Sequence, residues 1–160
     1  MCKYSSKNDY PNIILHDCKI TKISKENNDL IFEFNDKGFW IGKDNKHNPY
    51  NKILRTGKSM IRFVEYEQEF TDNYIFKEYR LMGKTILTKR LEVSFDYIIS
   101  QINAGKWQFE FIDEFYGWRK AEFDGYIWLN KKPYCMEAQL QLNFKEMLYF
   151  WDEIYEDRTW

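Results

Sequence analysis

Glycine, proline, cysteine and histidine are scarce in this chain of 160 residues, which has seven glycines, three prolines, three cysteines and two histidines. Because no Pro-, Gly- or Ser-rich stretch marks a linker, we expect a single domain over residues 1–160, with residues 1–11 as a loosely ordered N-terminal segment. The odd number of cysteines and the absence of a C-x-x-C pair argue against a disulfide framework and a zinc ribbon. We therefore expect no cofactor.

Long apolar runs and an excess of charge of one sign are also missing. No run approaches the roughly 20 apolar residues that cross a bilayer, and the polar start has no signal-peptide core, so we expect a cytoplasmic protein without a membrane partner. The 24 basic and 25 acidic residues nearly cancel, which argues against nucleic acid as a partner, because that binding requires a basic surface. The halves nevertheless differ: residues 1–64 hold 12 basic and 7 acidic groups, and residues 65–160 hold 12 and 18.

Alternation of apolar and polar residues is the dominant pattern that is present. It predicts a mainly β fold of about eight or nine antiparallel strands, arranged as a sandwich or an open barrel, with one internal and one C-terminal helix. The clearest hairpin surrounds a two-residue turn at Asn27-Asn28. Its pairs would be Ile23 with Phe32, Lys22 with Glu33 and Thr21 with Phe34. One face is then apolar and the other carries an ion pair, as a half-buried hairpin requires.

Two further hairpins follow from turns that contain glycine. Gly83-Lys84 suits a type II′ turn, and Asp124-Gly125 is a preferred type I′ dipeptide between alternating runs. The first turn would pair Phe76 with Leu91, Tyr74 with Val93 and Glu78 with Lys89, and the second would pair Phe123 with Tyr126 and Ala121 with Trp128. We therefore expect the chain to reverse at both dipeptides.

The pattern changes twice to the period of a helix. Ser94 is a candidate N-cap, an apolar stripe follows it, and Gly105 stands where a helix would stop, so we predict about ten helical residues between them. A second stripe begins at Phe144 after a capping-box pattern at Asn143, which predicts a C-terminal helix. The residues from Phe144 to Trp151 also fit a continuing strand, and both interpretations stay open.

His16, Asp17 and Cys18 form the grouping that most suggests metal or nucleophile chemistry. His16 and Cys18 would lie on one strand face, but zinc takes three or four protein ligands and the others are not apparent. A catalytic thiol needs a lowered pKa, which neighbours on one strand do not easily supply. The other interpretation is that Cys18 is buried, while His16 and Asp17 form hydrogen bonds at the start of a strand. Without P-loop, nucleophile-elbow or H-E-x-x-H motifs we predict no catalytic or metal-binding residue, and an enzyme would depend on carboxylates such as Glu110 and Glu114.

Glu65, Glu67 and Glu69 alternate along a strand predicted to run from Ser59 to Glu69, with Asp72 just beyond its end. A row of like charges on one face repels itself unless something basic faces it. One interpretation is an exposed edge strand whose charges prevent aggregation. The other is a strip that docks a basic protein partner.

Tyr116, Trp118 and Arg119 form the best aromatic candidate for a binding surface, because Tyr, Trp and Arg are favoured at the centre of interfaces. In the predicted register Trp118 shares a face with Ile127 and Leu129. The same pattern fits a face that a helix covers. The sequence therefore leaves open whether Trp118 is surface or core.

The segment from Leu15-His16-Asp17 to Gly38-Phe39-Trp40, with the apolar spacing of the hairpin between them, resembles the start of several small uncharacterised bacterial families. Some of these families resemble immunity proteins of contact-dependent or polymorphic toxin systems. The ending Tyr149-Phe150-Trp151 is similar as well. The resemblance covers under half of the chain and assigns no functional residue. It implies a cytosolic protein that acts by binding.

These observations together favour a non-enzymatic intracellular binding protein, with an immunity-type role in which it neutralises a protein toxin by docking. Two alternatives stay open: a β-barrel that holds a small molecule in an aromatic-lined pocket, and an enzyme with an unrecognised carboxylate site. An enclosed pocket lined by tryptophans would favour the barrel, and an exposed acidic strip would favour the docking protein. None of the patterns indicates an oligomeric state.

Overall fold

Residues 2–160, the part of the chain that the computed structural model describes, form fourteen strands and one α-helix. In chain order these are β1 (Tyr4–Lys7), β2 (Ile13–Ile14), β3 (Lys19–Glu26), β4 (Asp29–Phe34), β5 (Trp40–Ile41), β6 (Leu54–Thr56), β7 (Ser59–Val64), β8 (Asn73–Leu81), β9 (Lys84–Glu92), α1 (Phe95–Asn103), β10 (Trp107–Gly117), β11 (Lys120–Leu129), β12 (Cys135–Asn143), β13 (Glu146–Trp151) and β14 (Ile154–Thr159). A short 3₁₀ turn at Gln68–Phe70 lies between β7 and β8.

The strands form two antiparallel sheets. The larger has ten strands in the order β1-β13-β7-β4-β3-β10-β11-β12-β8-β9, and the smaller has four in the order β14-β6-β5-β2. The larger sheet is open, because β1 and β9 lie at its two ends. The prediction of a mainly β, antiparallel fold is confirmed, but about eight or nine strands was too few. The short strands β1, β2 and β6, of four, two and three residues, show too little alternation to be recognised in the sequence.

One connected cluster of buried apolar side chains joins the two sheets and α1. Phe39, just before β5 of the smaller sheet, packs on the larger sheet: its ring centroid lies 5.5 Å from that of Phe34 in β4 and 5.9 Å from that of Trp151 in β13. The largest fully buried side chains are Trp151, Tyr149, Phe32, Phe39, Phe63, Phe109, Phe111 and Phe123. Aromatic side chains, many of them at alternate strand positions, therefore fill a large part of the core.

The predicted turn at Asn27-Asn28 joins β3 and β4. Two predicted pairs are confirmed: Ile23 with Phe32, and Lys22 with Glu33, whose charged atoms lie 2.6 Å apart. The pairing of Thr21 with Phe34 is wrong, because the register shifts at Thr21 and Ile20 faces Phe34 instead. The shift lets Ile20 and Phe34 both remain buried.

The β8–β9 hairpin is present with a different turn from the predicted one. Met82 and Gly83 form its tip with φ of 49° and 81°, and a type I′ turn requires positive φ at both central residues. The observed pairs are Tyr74 with Glu92, Ile75 with Leu91 and Phe76 with Arg90. The predicted Gly83-Lys84 turn and its pairs are wrong by one position, because the non-glycine residue Met82 takes the left-handed conformation.

Asp124-Gly125 is not a turn, and this prediction is also wrong. Both residues lie inside β11, and the chain reverses at Trp118-Arg119 instead. Gly125 lies against the backbone of β10, where a Cβ atom would lie 2.1 Å from the Glu110 carbonyl oxygen. The glycine therefore permits a close approach of two strands, and the pairs predicted across the dipeptide do not form.

The internal helix α1 is confirmed at both ends. Ser94 accepts a hydrogen bond from the Tyr97 N–H as an N-cap residue does, and Gly105 just beyond the helix has a φ of 67°. The Asn103 side chain binds the N–H and the carbonyl oxygen of Ile23 in β3, at 2.8 and 2.7 Å, which holds the helix on the larger sheet. No helix within residues 2–160 is long and apolar enough to span a membrane.

The predicted C-terminal helix is wrong, because the chain from Glu146 onward forms β13 and β14. Met147, Tyr149 and Trp151 alternate into the core from β13, which lies between β1 and β7. The strand interpretation of this segment is therefore the correct one. β1 lies in the segment expected to be loosely ordered, yet all four of its residues pair with β13; Met1 lies outside the described residues.

Candidate docking surfaces

The acidic residues predicted to form a row on one strand lie beyond the end of that strand. β7 ends at Val64, and Glu65 has a φ of 49°, so the alternation stops there. The Glu65 carboxylate lies 2.6 Å from Lys145 Nζ, and the Glu67 carboxylate lies 2.9 Å from Arg119 Nη2. The row on one strand face is therefore wrong. Its carboxylates are exposed, and two of them already have basic partners on the protein surface.

Trp118 and Arg119 form the turn between β10 and β11, so the structure places Trp118 on the surface, 89% exposed. The ion pair between Arg119 and Glu67 brings the two groups of candidate residues together. Tyr116, Trp118 and Arg119 line one depression of about 190 Å³. Glu69 and Asp72 are exposed on the segment that follows Glu67. We call the surface formed by Glu67, Tyr116, Trp118 and Arg119 the hairpin tip. It joins the exposed indole of Trp118 to a charged rim.

Tyr116 connects the hairpin tip to a buried polar cluster. Its ring stacks on Tyr10 with centroids 4.0 Å apart, and its hydroxyl donates a 2.5 Å hydrogen bond to Glu114. The other carboxylate oxygen of Glu114 accepts the Leu15 N–H at 2.7 Å. Burial is the main reason why the pKa values of Glu114 and Tyr116 are raised. Both oxygens of Glu114 thus bind groups of the protein itself, which holds the N-terminal loop against β10.

The raised pKa of Glu114 predicts a pH-dependent contribution to stability. The folded protein holds this proton more readily than the unfolded chain, whose pKa is near the ordinary value of 4.5. The contribution is therefore fully present below 4.5 and is lost as the pH rises through the raised pKa. We expect the wild-type free energy of unfolding, minus that of Glu114→Gln, to fall with rising pH, by at most about 1.4 kcal/mol per pH unit. Urea unfolding from about pH 4 to pH 8 measures this, and a difference that stays flat or rises would contradict it.

His16 and Cys18 do not share a strand face, since both lie in the connection between β2 and β3. His16 Nδ1 lies 2.7 Å from the Ile112 carbonyl oxygen. Cys18 is fully buried, and this burial raises the pKa of its thiol to about 12. Among residues 2–160, no three His, Cys, Asp or Glu side chains are grouped closely enough to hold a metal ion.

The burial of Cys18 predicts selective thiol labelling. Cys135 is exposed and Cys2 is half-buried, whereas Cys18 is closed off from solvent. Because the thiolate is the reactive form, we expect an aromatic disulfide reagent to label Cys135 quickly and Cys18 only after unfolding. A Cys2→Ser/Cys135→Ser double variant should show no fast-reacting thiol, and rapid labelling of its native form would overturn this assignment.

The β8–β9 hairpin is a second surface, which the sequence patterns did not reveal. β8 pairs with β12 only as far as Phe76, so residues 77–89 continue as two strands without a third. We call this part the arm. Its exposed large apolar residues are Tyr79, Leu81, Met82, Ile86 and Leu87. The sequence signal for this surface was the apolar pair Leu81-Met82 next to the turn glycine. The turn that we predicted one position too late obscured it.

One face of the arm extends the core-facing side of the larger sheet. Ile75 packs against the core and pairs with Leu91. Side chains two residues apart share a face, so Tyr79 and its partner Leu87 lie on that same side, farther out. There Tyr79 is 40% exposed and Leu87 is 56% exposed.

The arm and the hairpin tip lie at opposite ends of the strands. The C-terminal end of β12 lies next to the hairpin tip, and β8 starts beside that end. β8 then runs away from the hairpin tip toward Met82. The chain matches no protein-family model, no curated protein and no solved structure. Of the two surfaces, the arm exposes the larger number of apolar side chains.

Proposed function

We propose that this chain is a cytoplasmic, non-enzymatic binding protein that docks to a protein partner through the arm. The proposal is carried by the exposure of Leu81, Met82, Ile86 and Leu87 on an arm that the rest of the described chain leaves uncovered; Met82 is 97% exposed. Monomeric proteins rarely expose large contiguous apolar patches, and such patches commonly mark interaction sites. A partner that receives the arm would remove these side chains from water.

The partner is expected to carry an apolar pocket with acidic groups around it. Four basic side chains stand on the arm against one acidic side chain, Glu78, which lies 2.6 Å from Arg80. Lys77, Lys84 and Lys89 have no ion-pair partner among the described residues. Charge complementarity would speed the encounter and select against basic partners.

Neutralisation of a protein toxin is the role that we propose for this docking, following the resemblance to immunity proteins. Such a role needs a tight contact and no catalytic group. The hairpin tip is a second candidate, favoured by the exposure of Trp118 beside the Glu67–Arg119 ion pair. It would suit the basic partner that the acidic residues predict, so the two surfaces call for partners of opposite charge.

Three immobilised baits distinguish the two surfaces: the wild-type chain, a Leu81→Ser/Leu87→Ser arm variant and a Trp118→Ser variant. Proteins bound from a lysate of the source cells are identified, purified and measured by surface plasmon resonance. We expect an acidic protein that binds the wild type and Trp118→Ser but not the arm variant. The arm variant should weaken binding by about 30-fold or more, since one central interface residue contributes about 2 kcal/mol. Association should also slow as salt is added.

The substituted side chains are exposed, so all three proteins should share one far-UV circular dichroism spectrum and one urea midpoint. A purified partner that binds the arm variant as tightly as the wild type would disprove docking through the arm. Binding lost only in Trp118→Ser would move the site to the hairpin tip. If the wild type sediments as a dimer and the arm variant as a monomer, the arm binds a second copy instead.

A further inference from the structure

A groove of about 950 Å³ lies where the two sheets meet. Its walls come from β3 and β10 of the larger sheet, from β5, β6 and β14 of the smaller one, and from the connecting residues 17 and 35–37. Basic residues that line it include Lys19, Lys37, Arg55 and Arg158, and Trp40 forms part of the wall. The groove is separate from the arm and from the hairpin tip, since it shares no residue with either.

Arg55 is the unusual member of this wall. It is 5% exposed and is the only charged residue among the buried side chains of the described chain. No described carboxylate forms an ion pair with it. Neutral groups stabilise the positive charge of Arg55. One of them is the Trp40 ring, whose centroid lies 4.2 Å from the guanidinium carbon. A buried charge without a counter-charge is unfavourable, so a site that keeps one is suited to receive an anion.

The hydrogen bonds of Arg55 leave one edge of the guanidinium for a ligand. Nε donates to the Lys37 carbonyl oxygen at 2.9 Å and Nη2 donates to the Asp17 carbonyl oxygen at 3.0 Å. A guanidinium carries five N–H groups in a planar fork, and Nη1 makes no hydrogen bond to the described residues. The edge formed by Nη1 and Nη2 matches the two oxygens of a carboxylate.

We propose that the groove binds a small molecule through a single carboxylate, which Arg55 holds by two parallel hydrogen bonds. The body of the ligand would lie along the groove beside Trp40. A phosphate is less well suited, because Asp17, Asp36 and Glu110 line the same groove and offset three of its four positive charges, which leaves one for a singly charged ligand. This ligand site is independent of the proposed docking through the arm.

Nuclear magnetic resonance of the ¹⁵N-labelled wild-type protein tests the site with three probes: benzoate, benzamide and inorganic phosphate. Benzoate should shift the Arg55 Nε–H and Trp40 indole signals and saturate at about millimolar concentration. Benzamide has the same shape without the charge and should leave them unchanged, and phosphate should bind at least about tenfold more weakly. The two signals are assigned in the wild-type protein itself, by through-bond correlations along the side chains of a ¹³C,¹⁵N-labelled sample.

Arg55→Lys keeps the charge but loses the fork, and we expect it to weaken benzoate binding about tenfold or more. Arg62→Lys is the matched control, because Glu26 and Asp29 already pair with Arg62 at 2.7 and 3.4 Å, and its binding should equal that of the wild type. The arm variant should also bind benzoate normally. The proposal is overturned if benzoate leaves both wild-type signals unmoved, if benzamide shifts them equally, or if phosphate binds more tightly. These wild-type measurements decide it even if Arg55→Lys does not fold.

Discussion

Replacing Phe111 by alanine is expected to lower the free energy of unfolding by about 3–5 kcal/mol, as truncation of a fully buried aromatic side chain usually does. The Phe111 ring is completely buried. Its centroid lies 5.0 Å from that of Phe109, 5.1 Å from Phe123 and 5.9 Å from Phe34. These neighbours lie on three strands, β10, β11 and β4. Because three strands would have to move together, the core cannot easily close over the space left by the ring. A domain of this size has a total stability of about 5–15 kcal/mol, so the loss would be a large part of it.

Phe115 on the same strand provides the matched control. Its side chain is 55% exposed, so Phe115→Ala should change the stability by less than about 0.5 kcal/mol. Urea unfolding followed by tryptophan fluorescence and by far-UV circular dichroism measures both variants, and for one domain the two signals should change together. Equal effects at the two positions would show that the ring cluster around Phe111 does not hold the larger sheet together.

Replacing Gly125 by alanine is expected to destabilise the protein by about 3 kcal/mol or more, because one added methyl group would collide with backbone. The new Cβ atom would lie 2.1 Å from the Glu110 carbonyl oxygen and 2.8 Å from Cζ of Phe109. A side chain can rotate away from such a contact, but the Glu110 carbonyl belongs to the neighbouring strand β10. β10 and β11 would therefore have to separate.

Gly117→Ala tests whether this effect belongs to the close approach and not to glycine itself. Gly117 lies in the same hairpin, and the nearest atom to its added Cβ would be the Lys120 carbonyl oxygen at 3.9 Å. We expect a change within about 0.5 kcal/mol, or a slight stabilisation from reduced freedom of the unfolded chain. A loss at Gly117 as large as that at Gly125 would disprove the steric explanation.

The candidate surfaces were only partly visible in the amino-acid sequence. Trp118, Glu67 and Arg119 were recognised as residue types suited to binding, but their contact depends on β10 and β11 reversing at Trp118-Arg119 and on β7 ending at Val64. The arm depends on where β8 leaves β12, and the burial of Arg55 depends on how two sheets meet. Contacts between segments that lie far apart in the sequence decide all three, and no local pattern encodes them.

Local chemistry in the sequence determined the elements that need few distant contacts. Ser94 caps its helix with its own hydroxyl, and the Asn27-Asn28 turn aligns the residues immediately on either side of it. The mainly antiparallel β class followed from alternation alone, because a side chain on a strand must face either the core or the solvent.

The tertiary structure decided the cases in which one pattern served two conformations. Asp124-Gly125 has the composition of a turn but lies within a strand, since Gly125 is needed where β10 and β11 approach closely. The apolar residues from Phe144 to Trp151 predicted a helix in sequence, although they also fit a continuing strand. They form a strand because β1 and β7 offer backbone partners on both sides of β13, and hydrogen bonds between distant segments outweigh weak local preferences.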